Sequence, residues 1–307
     1  MAVTAAMVKE LRELSGAGMS ACKNALVEAD GDITRASEIL REKGLAAAAK
    51  KAGRIAAEGL VMTALTDDRK KGAIVEVNSE TDFVAKNEEF ITFVKNVAAQ
   101  TLASGAESVD ELLEEKWAAD TSVTVKEAFS QKVATIGENI GLRRFQRYTL
   151  SGNGVVVDYI HGGGRVGVML ELNADSVNDA VIEAGRNVCM QIAAMSPQFV
   201  DRTHVPQDYL DKEREILTQQ TMAEGKPANI AEKMVEGRLN KMLKEICLVD
   251  QEYVKDGEMT VAQYLESVGK AEGGKLAVAS FVRYEKGEGI EKKEENFAEE
   301  VNKAMQV

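Results

Sequence analysis

The 307-residue chain is long enough for more than one packed core, and its formal net charge is −12. That charge argues against a surface built for nucleic acid or for anionic lipid, since both need an excess of Lys and Arg. Cys22, Cys189 and Cys247 are odd in number and far apart, which excludes a disulfide framework or a metal-ligand spacing and agrees with a reducing cytosol.

Aromatic residues are 5% of the chain and there are only 3 prolines, so helix should dominate with some sheet. The start, MAVTAAMVKELREL, carries charges where a signal peptide needs its apolar run. Instead it reads as an amphipathic helix capped by Thr4, with Met7, Val8, Leu11 and Leu14 on one face. Gly16-Ala17-Gly18 breaks it. Ser20 is expected to cap a second helix with Cys22, Ala25, Leu26 and Ala29 inward. Gly31-Asp32 stops that helix and caps a third, carrying Ile33, Ala36, Ile39 and Leu40, which Gly44 is expected to end. Leu45 to Arg54 reads as a helical linker.

From Gly59 the period changes from helical to alternating. Val61–Leu65 and Ala73–Val77 flank a polar turn and predict a hairpin. A helix is predicted from about Glu88 to Leu102, then a mixed helical region to about Ala134. Arg143–Leu150, Val155–Ile160 and Val166–Asn173 read as strands. Here the chain echoes itself. Ile74-Val75-Glu76-Val77-Asn78 matches Met169-Leu170-Glu171-Leu172-Asn173, and Lys95–Gln100 matches Arg186–Gln191. The interval is 95 residues at the strand, from Asn78 to Asn173, and 91 at the helix, from Lys95 to Arg186, so the second copy is shorter between the two.

Asp208 to Leu248 reads as a helical hairpin turning at Gly225-Lys226-Pro227, with apolar stripes that suit an antiparallel pair packed on itself or a self-association surface. Lys275–Tyr284 returns to strand. Asn296–Met305 is a short terminal helix with Phe297, Val301 and Met305 along one stripe.

Few motifs promise chemistry. Gly162-Gly163-Gly164-Arg165-Val166-Gly167 fits G-x-G-x-x-G, but it joins two strands, whereas a dinucleotide loop must open a helix. His161-Gly162-Gly163-Gly164 has the look of an oxyanion loop without any G-x-S-x-G elbow to serve. Gly269–Lys275 fits a phosphate loop until Leu276, where Ser or Thr is required. Two histidines, His161 and His204, cannot assemble a metal centre or triad readily. Lys50, Lys51 and Arg54, like Arg143 and Arg144, suit solvated or paired faces. What stands out is Phe83, in a turn-rich connection between strand and helix that has no aromatic counterpart in the second copy. The fold therefore does not require it, and an apolar anchor for a partner's pocket is the better reading.

The stretches VKELRE (8–13), GAGM (16–19), GDI (31–33), AAEG (56–59), EVNSETDFVAKN (76–87), IGENI (136–140), AEKMVEGR (231–238) and GEGIEK (287–292) occur in this order. Together they resemble the bacterial elongation factor Ts family, the guanine-nucleotide exchange factors of elongation factor Tu, over nearly the whole chain. Thr135 departs from the Lys often found before IGENI. The resemblance implies an α+β fold. A three-helix module like ubiquitin-associated domains, with its linker, would occupy 1–54. Two related α/β subdomains with antiparallel sheets would occupy 55–142 and 143–284, the helical hairpin (about 208–248) being inserted in the second. A short C-terminal helical module would occupy 285–307. It implies a cytoplasmic, non-enzymatic protein with elongation factor Tu as partner, and no cofactor, metal, membrane or direct nucleic-acid contact. The loop Thr81, Asp82, Phe83 and Val84 would enter the GTPase near its bound Mg²⁺. Further contacts would fall on Lys23, Ile136, Gly137, His161, Met234 and Val235. Whether the complex is a dimer of heterodimers stays open, and a small-molecule enzyme built on the Gly162 turn is the competing class.

Overall fold

The structure is a computed structural model that describes residues 3–224 and 228–291. Three helices open the chain: α1 (Ala5–Ser15), α2 (Met19–Glu28) and α3 (Ile33–Lys51). Thr4 caps α1 and Gly16, at φ 66°, ends it; Asp32 caps α3. Leu11, Cys22, Ala25, Leu26 and Ala36 are fully buried between the three helices. Three expectations need correction. α2 starts at Met19 after Gly18, so Ser20 lies inside the helix and does not cap it. Leu14 points to solvent at 67% exposure. Gly44 does not end α3: it is buried where α3 crosses a later helix, close to Ser130 and Ala134, and packing there outweighs its poor helix propensity. The stretch read as a linker is thus the second half of one 19-residue helix.

The remainder is a duplicated unit. Its first copy runs β1 (Glu58–Leu65), β2 (Lys71–Ser79), α4 (Asp82–Ala85), α5 (Glu88–Ala103), α6 (Val109–Glu114), β3 (Lys116–Trp117), β4 (Asp120–Thr124), α7 (Val125–Ile136) and β5 (Gly141–Thr149). Its second runs β6 (Gly154–His161), β7 (Val166–Ala174), α8 (Asp179–Met195), α9 (Gln207–Ala223), α10 (Ala228–Ile246), β8 (Glu252–Tyr253), β9 (Asp256–Thr260), α11 (Val261–Ala271) and β10 (Leu276–Glu285). Each copy makes a three-stranded antiparallel sheet, β1-β2-β5 and β6-β7-β10. The mixed region before Ala134 resolves into α6, the small β3–β4 ribbon and α7. The junction drawn between 142 and 143 falls inside β5, and β5 pairs with β2, so the first sheet extends to Thr149.

The echo goes further than the sequence repeat suggested. Thr124 and Thr260 both form capping boxes, with Glu127 and Gln263. Gln100 and Gln191 each accept from a backbone amide of the small ribbon, Ala118 and Val254, at 2.8 Å. Even the register break recurs, beside Leu142 in β5 and beside Val278 in β10. Asn87 caps α5 as Asn178 caps α8, and the four residues by which the first copy is longer are α4.

The two sheets face each other. Val61, Ile74, Val156 and Met169 fill the layer between them, while α5 and α7 cover the outer face of the first sheet, and α8 and α11 that of the second. Gly72 and Gly167, duplicates of one another, stand where any Cβ would strike the opposite sheet: Met169 Sδ at 2.7 Å and Val61 Cγ1 at 2.4 Å. The glycine-rich turn Gly162–Gly164 docks on β1, with Val61 N donating to Gly164 O at 2.8 Å. It is a hairpin turn packed on a sheet. α9 and α10 form the expected antiparallel pair, tied by Arg214–Glu236 and Arg238–Glu224 ion pairs, with Leu239, Leu243 and Cys247 buried at its base. The tip residues 225–227 and the expected terminal helix 296–305 lie outside the described residues. No helix among those described is long and apolar enough to cross a membrane.

Candidate protein-contact site

β2 leaves the first sheet at Ser79 and the chain turns at once into α4. Thr81 caps this turn, its hydroxyl accepting from Val84 N at 3.4 Å. Because successive helical residues point about 100° apart, neighbours in such a turn face different ways. Phe83 points outward and is 81% exposed, the highest value among the large apolar residues exposed in the described chain. Val84 points inward, 9% exposed, and joins the core beneath α5 with Ala85. The burial of Val84 is thus intramolecular, and of the adjacent pair Phe83 alone turns its side chain outward. Asp82 is half-exposed and bonded to Lys86 Nζ at 2.6 Å; that bond and the positive charges of Lys86 and Lys286 hold its carboxyl below the usual range.

The turn is held from outside its own segment. After α7, Gly137 adopts the left-handed conformation at φ 88°, and Glu138 follows. The Glu138 carboxylate accepts from Glu80 N and Thr81 N, both at 3.0 Å, and from Thr81 Oγ1 at 2.6 Å. In return Asn139 N donates to Glu80 Oε1 at 2.6 Å, and Asn139 Nδ2 to Arg54 O at 2.8 Å. Lys51, at the end of α3, donates to Gly137 O at 2.7 Å. Two segments far apart in sequence, SETDFV and IGEN, thus form one site, with Ile136 half-buried against the first core and Gly137 exposed.

A third segment closes the other side. Glu76 is fully buried on β2, facing the second sheet. It takes Arg143 Nη1 at 3.0 Å, Arg144 Nε at 2.6 Å, Asn78 Nδ2 at 3.1 Å and Gly287 N at 2.8 Å. Burial alone would raise this carboxyl, but the Gly287 amide, Asn78 and the two arginines together hold it below its ordinary value. Gly287 sits at φ 70° with the Ala57 carbonyl 2.0 Å from where a Cβ would stand, so only glycine fits. Lys286 pairs with Glu58 beside it. The segment after β10 is in this way strapped across the first sheet, close enough for Lys286 to act on Asp82.

Other expected contact residues lie on other elements. Lys23 is exposed on α2. His161 is exposed at the end of β6, its Nδ1 3.0 Å from the Tyr159 hydroxyl. On α10, Met234 is half-buried and Val235 is buried at 4%. Glu80, Glu138 and Asn139 were not singled out from the sequence. The signal available was the spacing of IGENI against its duplicate EGGKL (272–276), which keeps the glycine of Gly137 as Gly273 but has Gly274 where Glu138 stands. Among the described residues no group of three or more His, Cys, Asp or Glu side chains is placed to hold a metal.

The family model described as "Elongation factor TS" matches residues 80–288, from the start of this site to the strap. "Elongation factor Ts" of Clostridium novyi (strain NT) is 54% identical over 303 residues, covering 99% of both chains. That of Clostridium acetobutylicum is 53% identical over 304 residues, again 99% of each. That of Clostridium tetani is 53% identical over 304 residues, 99% of this chain and 100% of its own. With both the family match and full-length relatives at this identity, the chain belongs to the elongation factor Ts family, whose role is in translation elongation.

Proposed function

We propose that this protein binds elongation factor Tu in its GDP form and speeds GDP release, acting as a nucleotide exchange factor through contact and without chemistry of its own. The observation that carries the reading is Phe83: a large apolar side chain left 81% exposed on a turn whose next two residues are buried and whose backbone is fixed by charged hydrogen bonds. A single exposed apolar residue is ordinary in itself; what sets Phe83 apart is its place on a held turn that the sister copy does without.

A GTPase holds its nucleotide by a phosphate-binding loop and a Mg²⁺ that bridges phosphate oxygens. Phe83 inserts between helices near that ion, and Asp82 brings polar groups beside it. Burying the ring supplies about 1.5–3 kcal/mol toward displacing the ion's ligands. The coupling is reciprocal, so a factor that weakens nucleotide binding is itself released when fresh nucleotide binds. Ile136 and Gly137 add contact surface beside the wedge; Lys23, His161 and Met234 provide further contacts.

Release of fluorescent GDP from elongation factor Tu tests this directly. The wild-type protein should accelerate release, and excess Mg²⁺ should oppose the acceleration by linkage. Phe83→Ala should slow stimulated release about tenfold or more, the loss of ~1.4 kcal/mol at the transition state, while its melting temperature stays near wild type. A fully active Phe83→Ala protein would end the wedge reading.

A further inference from the structure

We infer that Glu138 is a positioning residue for nucleotide exchange, acting on the partner only through Phe83. The inference rests on the exchange reading above and assigns the part of this chain that aims the wedge. Glu138 makes no apolar contact surface. Instead its two oxygens take three donors from the two residues that lead into α4: the amides of Glu80 and Thr81 and the Thr81 hydroxyl, at 2.6–3.0 Å. A carboxylate accepting several N–H and O–H groups is stronger and more directional than a neutral acceptor. It fixes where the turn begins, and a side chain two residues on inherits that direction.

The molecule contains its own control. In the second copy the passage from β7 to α8 is closed by Asp175, whose Oδ2 accepts from Lys275 N at 2.9 Å. The same bond exists in the first copy, Glu80 Oε1 with Asn139 N at 2.6 Å. So the Glu80–Asn139 clamp belongs to the common fold. Glu138 does not: its duplicate is Gly274, where even a Cβ would lie 3.0 Å from the Asp175 Cβ. The second copy also lacks α4. The extra carboxylate and the extra turn occur together, in the copy that bears the exposed Phe, and both are absent from the copy that does not. A residue needed merely to close the strand–helix connection would be needed twice.

Placement explains a second feature. Glu138 directly follows Ile136 and Gly137, and Gly137 is pinned by Lys51 from α3. Contact made by a partner on Ile136–Gly137 therefore bears on the same short segment that seats the turn.

The test is stimulated GDP release measured against factor concentration for wild type, Glu138→Ala, Glu138→Gln, Phe83→Ala and the doubles with Phe83→Ala. Glu138→Ala should lower the maximal stimulated rate about tenfold or more, as expected when a reacting group loses its alignment, with a smaller change in the half-saturating concentration. Glu138→Gln keeps one acceptor oxygen for the amides and should recover part of the rate. Each double variant should be no slower than Phe83→Ala alone, because a wedge that is absent cannot be misaimed. Should Glu138→Ala not fold, the Glu138→Gln pair decides by the same comparison. Wild-type rates in the Glu138 variants, or losses that add in full to that of Phe83→Ala, would overturn the assignment while leaving the wedge intact. A fully active Phe83→Ala would instead remove the wedge reading and this inference with it, while the exchange activity itself stands.

Discussion

Phe83 and Val84 are adjacent and both apolar, yet one faces solvent and the other the core. The distinction predicts two different phenotypes. Val84→Ala removes buried methyl groups and should cost about 1–3 kcal/mol of stability, seen as a lower denaturation midpoint, with exchange near normal in the folded fraction. Phe83→Ala should do the opposite. Their separation was not legible in the sequence. Read as a loop, Thr81–Val84 offers no rule for which side chain points inward; read as a helical turn it does, but four residues are too few to show a period. The sequence did expose Phe83, because the duplicate lacks it. Glu138 stayed hidden for the converse reason: a carboxylate among 50 acidic residues carries no mark until its donors are known.

Among the elements, long periodic ones were read nearly to their ends: α5 and the β1–β2 hairpin are where the alternation and the helical stripe put them. The strands β3 and β8, of two residues each, were invisible, since such ribbons are made by their neighbours and leave no pattern of their own. α3 shows the remaining kind of error. Gly44 has the local character of a helix stop, but α7 packs across it, and a Cβ there would meet Ser130 O at 3.5 Å, an ordinary contact. Gly44→Ala should therefore stabilise the protein by about 0.5–1 kcal/mol, through helix propensity and reduced freedom of the unfolded chain. Chemical denaturation decides it; a destabilised variant would mean that Gly44 is needed for close approach or for a break. The same packing gives truncation a structural limit. Ala48 of α3 lies against the first core, so removing residues 1–54 should cost the core stability as well as any partner contact made by α1 and α2.

At the scale of the molecule, the two sheets and the strap behave as one unit, and Glu76 is the charge at their junction. Its folded value lies below the ordinary 4.5, so it contributes stability that is complete above that pH and is lost as the pH falls through its folded value. Glu76→Gln should flatten the acid side of a melting-temperature profile below about pH 4.5. At neutral pH it should destabilise, because Arg143 and Arg144 lose their shared partner. A wild-type acid profile in the variant would show that other carboxylates govern acid unfolding. Seen mechanically, the strap has a meaning beyond stability. Two bodies pressed together share deformation according to their compliance, and the softer one yields. The turn that bears Phe83 is backed by Glu138 on one side, by the buried Val84 beneath and by the strapped first sheet behind it. On the wedge proposed above, a turn backed on these three sides passes strain into the surface that the phenyl ring is pushed against.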